Sequence, residues 1–218
     1  MDVKGIIFDM DGVLIDSEPL NKKFSELFFT EKGYVIPKEI GNTFLGATQQ
    51  EIWRNIKTLF PEVDTDELQR EMEEAKDSLN INYESLVFEG LHEMLYFFKQ
   101  KDLKLAVASS TSSSKVVEIL SKCQLHDYFD VIVGGDTVSR SKPHPDIFNY
   151  TAKQLQLSTN SCIVIEDSTN GITAARSAGM LVIGKKHDVI SQDISQANFI
   201  FKSYFELLNK IKSDLFKK

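Results

Sequence analysis

Six short apolar runs constrain this chain more than any other feature of its sequence. They are Val3 to Phe8, Leu103 to Ala108, Val131-Ile132-Val133, Cys162 to Ile165, Leu181-Val182-Ile183 and, as an edge strand, Phe199-Ile200-Phe201. The runs are mostly apolar rather than alternating, which suits strands covered on both faces, as in a parallel sheet. Between them lie helical patterns. Leu91, Met94, Leu95 and Phe98 share one helical face, and Val116, Val117, Ile119 and Leu120 repeat the pattern after a serine-rich stretch able to cap it. Further helices are predicted over Asp146 to Leu157 behind Pro145, over Asn170 to Ala178 up to Gly179, and over Tyr204 to Leu215. Strand and helix alternate, so the expected fold is α/β, a doubly wound parallel sheet with right-handed crossovers.

One segment breaks this rhythm. From Asp16 to Val87 no comparable strand run occurs, and Leu20 to Phe29, Gln49 to Leu59 and Asp66 to Leu79 read as amphipathic helices. The expected organisation is a core of residues 1–15 and 88–218 with a helical subdomain, 16–87, inserted after the first strand. Trp53 is expected to pack inside that bundle.

Ligands of open α/β sheets bind beyond the carboxyl ends of the strands. The first run ends in Asp9-Met10-Asp11-Gly12, the second in Ser109-Ser110, and the fourth in Glu166-Asp167. Ser141-Lys142-Pro143 lies between the third and fourth, and the residue before proline is biased to an extended conformation. A single acidic pair could simply end a strand in solvent. Two such pairs, with a lysine and serines at neighbouring strand ends, favour a site. Four carboxylates repel one another without a cation, and a hard oxygen donor set suits Mg²⁺ better than Zn²⁺. Mg²⁺, an ammonium and a hydroxyl make a cradle for phosphate. Asp9 is then a candidate nucleophile forming an aspartyl-phosphate, with Asp11 passing a proton to the leaving oxygen and later taking one from water. His92, His126, His144 and His187 read as structural or exposed, Lys185-Lys186-His187 as a solvated loop, and Asp136 as structural.

Charge and cysteine usage set outer limits. The 25 basic and 32 acidic residues leave a net charge of −7, which argues against nucleic acid or an anionic membrane as the main partner. Cys123 and Cys162 have no ligand-type spacing and read as reduced, buried thiols. With no membrane-length apolar run and no leader pattern, the expected setting is the cytoplasm, and a monomer is the default.

Four ordered motifs carry a family resemblance: Asp9-Met10-Asp11-Gly12-Val13; Val107-Ala108-Ser109-Ser110; Ser141-Lys142-Pro143-His144-Pro145-Asp146; and Ile165-Glu166-Asp167-Ser168 with Asn170-Gly171. Through them the chain resembles the haloacid dehalogenase superfamily, in its β-phosphoglucomutase-like phosphatase branch. The resemblance implies a Rossmann-like core with an inserted helical cap. It also implies Asp9 as nucleophile, Asp11 as general acid/base, Ser109 and Lys142 on the phosphoryl group with Ser110 beside them, and Mg²⁺ held by Asp9, Asp11 (through its backbone carbonyl), Glu166 and Asp167. The cap's substrate loop corresponds to Leu45-Gly46-Ala47-Thr48-Gln49, which assigns Gly46, Thr48 and Gln49 to substrate binding. The chain departs from the sugar mutases at Asn21, where they carry histidine, and at Gln49, where they carry arginine. Arg54 and Lys76 read as solvated helix positions, and Glu89 replaces a frequent proline.

The expected activity is therefore Mg²⁺-dependent hydrolysis of a small phosphorylated metabolite, sugar phosphates included. A β-phosphoglucomutase is the alternative, and a non-catalytic phospho-receiver module is a third reading, disfavoured by the inserted cap and by Asp11.

Overall fold

The computed structural model of the chain describes residues 2–44, 49–187 and 192–214. The described residues form one all-parallel, six-stranded sheet: β1 (Gly5–Phe8), β2 (Lys104–Ala108), β3 (Val131–Val133), β4 (Cys162–Glu166), β5 (Leu181–Lys185) and β6 (Phe199–Phe201). The order across the sheet is β3-β2-β1-β4-β5-β6. The chain builds outward from β1 through β2 to β3, then returns to the other side of β1 to lay down β4, β5 and β6. The direction of winding thus switches between β1 and β4, where open α/β sheets form a crevice. Ile7 of β1 pairs with Ala106 of β2 on one side and Val164 of β4 on the other.

The chain divides into two compact units, Met1–Asp16 with Tyr83–Lys218, and Ser17–Asn82. The second unit holds helices α1 (Glu18–Glu31), α2 (Lys38–Asn42), α3 (Gln49–Leu59) and α4 (Thr65–Asp77). Its own core gathers Phe28, Phe29, Trp53, Ile56, Val63 and Leu68. Helix α4 starts where the Asp64 side chain accepts from the backbone N–H groups of Asp66 and Glu67. Helix α2, only five residues long, has too few positions to show a helical period and was not expected from the sequence.

The second junction falls between Asn82 and Tyr83 rather than near Phe88. The physical reason is hydrogen bonding. The short 3₁₀ turn Tyr83–Leu86 belongs to the sheet unit because Leu86 O accepts from Asp16 N at 2.7 Å, Val87 bridges to Ile15, and Tyr83 O lies 3.4 Å from Cys123 Sγ.

The sheet unit continues with α5 (Leu91–Lys99), α6 (Ser113–Lys122), α7 (Asp146–Gln154), α8 (Thr169–Ser177) and α9 (Tyr204–Asp214). Ile7, Ala106, Ala108, Val133, Val164 and Val182 form one apolar cluster with residues of α7 and α8, among them Phe148 and Ile172. Phe8 packs its ring on Phe98 of α5 and on Phe129. Burying a side chain of this size contributes about 1.5–3 kcal/mol, so strand β1 is held from both faces. Helix α8 closes at Gly179, whose φ of +76° lets its N–H turn back to Arg176 O. The serine stretch before α6 does not supply that helix's cap. Asp136, from the loop after β3, accepts instead from the Ser113 N–H and hydroxyl, both at 2.8 Å. Cys123 and Cys162 are buried, and burial pushes both thiols up to about 11. Among the described residues no helix is long and apolar enough to cross a membrane.

Candidate active site

Strand β1 is central, so the residue that follows it stands among the ends of its two neighbours. The Asp9 N–H continues the ladder to Ile165 O at 3.0 Å, and its side chain is only 10% exposed. The Met10 carbonyl then accepts from Leu14 N, while Gly12 N returns to Ile15 O at 2.8 Å. That tight turn needs a φ of +75° at Gly12. A Cβ there would also come within 2.1 Å of Asp167 Oδ2, so the glycine makes room for a second carboxylate.

Lys142 arrives from the connection between β3 and α7, where the Lys142–Pro143 peptide is cis. Its ammonium is buried and donates to Asp9 Oδ1 at 2.5 Å, Glu166 Oε1 at 2.8 Å and Ala108 O at 3.1 Å. Those partners follow or end β1, β4 and β2, so the three donors of one lysine tie together the carboxyl ends of three adjacent strands. The ammonium also lies 5.1 Å from the centre of the Phe148 ring. Burial works against its charge, but Asp9 and Glu166 outweigh that and hold it well above the usual lysine range.

Glu166 is 1% exposed. Its Oε2 accepts from Asp167 N at 2.8 Å, Ser168 N at 2.7 Å and Ser168 Oγ at 2.9 Å. Lys142 on Oε1 is its fourth protein donor. Gly171, in the first turn of α8, carries no side chain under this carboxylate; a Cβ there would sit 1.6 Å from Oε1. Ser168 meanwhile caps α8 through Gly171 N at 3.0 Å.

Asp167 is buried beside the Gly12 turn, and His187 Nε2 lies 3.1 Å from its Oδ2. The Tyr204 hydroxyl donates to Val13 O at 2.8 Å; burial, reinforced by Asp167 and Asp9, holds the phenol well above its usual pKa. The expectation of a solvated loop at Lys185-Lys186-His187 is corrected here. Strand β5 runs on to Lys185, whose side chain is buried with its ammonium 3.5 Å from the centre of the Phe88 ring. His187 is also largely enclosed, and Lys186 alone of the three is exposed. A run of two lysines and a histidine hides this, because nothing local says that the strand carries on through it.

At the end of β2, Ser109 is 1% exposed and its Oγ accepts from Thr111 N at 3.1 Å. Ser110 is exposed, with its carbonyl against Gly135, where a Cβ would approach to 2.4 Å. Thr111 donates its hydroxyl to Asp11 Oδ2 at 3.3 Å. Sequence reading missed Thr111, although its place in the same strand-end loop as Ser109 was the signal available. Asp9, Lys142, Glu166 and Ala108 O therefore form one bonded group, and Asp11, Thr111 and Ser109 a second. Gly46 and Thr48, and the side chain of Gln49, lie outside the described residues.

Burial drives the Asp9 pKa well above the usual carboxylate range; Lys142 opposes this, while Glu166 and Asp167 add to it. Among the described residues no three His, Cys, Asp or Glu side chains make a ready cage for an ion. Mg²⁺ does not require one, since it is usually bound by one or two carboxylates together with waters and substrate phosphate oxygens. The all-oxygen donors of Asp9 and Asp167, and the like charges of Glu166 and Asp167 acting on Asp9, fit Mg²⁺.

The family model described as haloacid dehalogenase-like hydrolase matches residues 6–185. The phosphorylated carbohydrates phosphatase of Thermotoga maritima is 32% identical over 181 residues, covering 82% of each chain. The β-phosphoglucomutase of Bacillus subtilis is 28% identical over 190 residues, covering 84% of this chain and 83% of its own. A crystal structure of a T. maritima protein assigned as a β-phosphoglucomutase superposes with a TM-score of 0.77 at 29% identity, covering 97% of this chain and 100% of that one. The chain belongs to the haloacid dehalogenase-like hydrolase family. Within it, the chain is a phosphatase.

Proposed function

We propose that the chain is a Mg²⁺-dependent phosphomonoester hydrolase acting on a small phosphorylated metabolite through an aspartyl-phosphate on Asp9. The observation that carries this reading is the buried Lys142 ammonium, 2.5 Å from Asp9 Oδ1 and anchored on Glu166. A carboxylate held against an ammonium at the end of a central strand is positioned to meet a phosphoryl group whose charge that ammonium also screens. In the first half-reaction an Asp9 oxygen bonds to phosphorus as the ester P–O bond breaks. The electron pair leaves on the ester oxygen, which takes the proton of Asp11. In the second, water attacks the same phosphorus, Asp11 accepts a proton from it, and phosphate departs with the Asp9 carboxylate restored.

Ser109 and Lys142 hold phosphoryl oxygens, with Ser110 beside them. Ser109 Oγ already accepts from Thr111 N, so its own proton is left to donate. Mg²⁺ held by Asp9, Glu166, Asp167 and the backbone carbonyl of Asp11 would neutralise phosphoryl oxygens against the acidic cluster. Glu166 also steadies the site by accepting from Lys142 and from the start of α8.

The relative named for phosphorylated carbohydrates supports testing sugar phosphates first in a panel of phosphorylated metabolites. Multiple turnover of an aryl phosphate, abolished by EDTA and restored by Mg²⁺, is the expected result, and it separates an enzyme from a receiver. Undiminished phosphatase activity in Asp9→Asn would overturn the assignment. Coupled assays with β-glucose 1-phosphate address the mutase reading, which the B. subtilis relative favours; net isomerisation in place of phosphate release would establish it.

A further inference from the structure

We propose that Thr111 is a positioning residue for the proton transfer, a role resting on the reading of Asp11 as the acid/base. Three bonds fix it. Its N–H donates to Ser109 Oγ at 3.1 Å, its carbonyl accepts from Gly135 N at 2.9 Å, and its hydroxyl donates to Asp11 Oδ2 at 3.3 Å. The backbone is held on both sides, and a β-branched side chain has few χ1 choices, so the direction of the hydroxyl is set by the loop.

The N-cap position of α6 belongs to Ser112 rather than to Thr111, and the helix start is served by Asp136, which accepts from both the N–H and the hydroxyl of Ser113. The Thr111 hydroxyl is left for Asp11, 100 residues away in the chain. Since the N–H of the same residue orients Ser109, Thr111 links the group that holds the phosphoryl to the group that protonates the product alcohol. Thr111→Val keeps the shape and the backbone bonds and removes only the link to Asp11.

The test is the dependence of kcat/KM on the leaving group, which reports the half-reaction in which the alcohol departs. Alkyl phosphates need a proton at the leaving oxygen, and 4-nitrophenyl phosphate hardly does. General acid catalysis contributes about 10²–10⁴-fold, so a misaimed acid should cost Thr111→Val about 10- to 100-fold on glycerol phosphate and less than about 3-fold on 4-nitrophenyl phosphate. Thr111→Ser, which restores the hydroxyl, should recover most of the alkyl phosphate activity. Thr111→Ala repeats the measurement should the valine variant unfold. Asp11→Asn sets the scale. If it shows no leaving-group selectivity, the reading of Asp11 itself falls. If it does, and Thr111→Val loses equally on both substrates or on neither, the positioning role alone is overturned. A serine variant no better than valine would overturn it as well.

Discussion

Gly171 lies under the Glu166 carboxylate so closely that a Cβ on it would stand 1.6 Å from Oε1. Gly171→Ala must therefore displace Glu166, and with it the anchor that holds Lys142 on Asp9. A misplacement of about 1 Å at a reacting group can lower turnover about 100-fold, and a loss of that order in kcat is expected. Steady-state kinetics beside a thermal melt check it. Wild-type kcat in a folded Gly171→Ala protein would show that the anchor is dispensable.

Lys142→Met should be inactive and less stable. Removing one partner of a buried ion pair costs about 3–5 kcal/mol, because the carboxylates left behind have no counter-charge. Chemical denaturation of the metal-free protein at neutral pH measures this. The deficit should shrink as the pH falls, since Asp9 can then take up a proton.

Mg²⁺ should raise the thermal midpoint, more at pH 7 than at pH 4.5. The folded-state pKa of Asp9 is raised by burial and by its acidic neighbours. A raised carboxylate adds stability below its unfolded value of about 3.9 and loses it as the pH climbs through the folded pKa. The metal-free protein thus gives up stability towards neutral pH, where an ionised Asp9 binds the cation best. Saturation at 100 times the dissociation constant is worth about 2.7 kcal/mol. A midpoint shift independent of pH would show that Asp9 is not linked to the metal.

Asp136→Ala removes the acceptor at the start of α6 and should lower the thermal midpoint. Its effect on kcat should be smaller than that of Gly171→Ala, because Asp136 bonds Ser113 and not the lysine–carboxylate group. Melting curves and kinetics on both variants decide the comparison.

Much of the sheet was legible because burial leaves a local record. Ile6-Ile7-Phe8 and Ile163-Val164-Ile165 are apolar without interruption since both faces of a parallel sheet are covered. Helix phases were legible for the same reason. Asp9, Ser109, Lys142 and Glu166 stood out because polar residues directly after such runs, or between them, have few structural reasons to be there. Features without local period escaped. Helix α2 is too short to show one, Lys185 is charged yet enclosed, and Thr111 resembled its serine neighbours.

The sequence by itself determined which segments are strands, which are helices, and which residues fall at the strand ends, since each follows from neighbours within a turn or two. Only the tertiary structure decided who meets whom. Lys142 reaches Asp9 across 133 positions and Glu166 across 24, because β4 is laid beside β1 rather than beside β3. Asp136 caps α6, Thr111 turns to Asp11, and Glu166 spends its oxygens on protein donors for the same reason. Hydrogen-bond partners are selected by proximity in space, and strand order, which no local pattern encodes, sets that proximity.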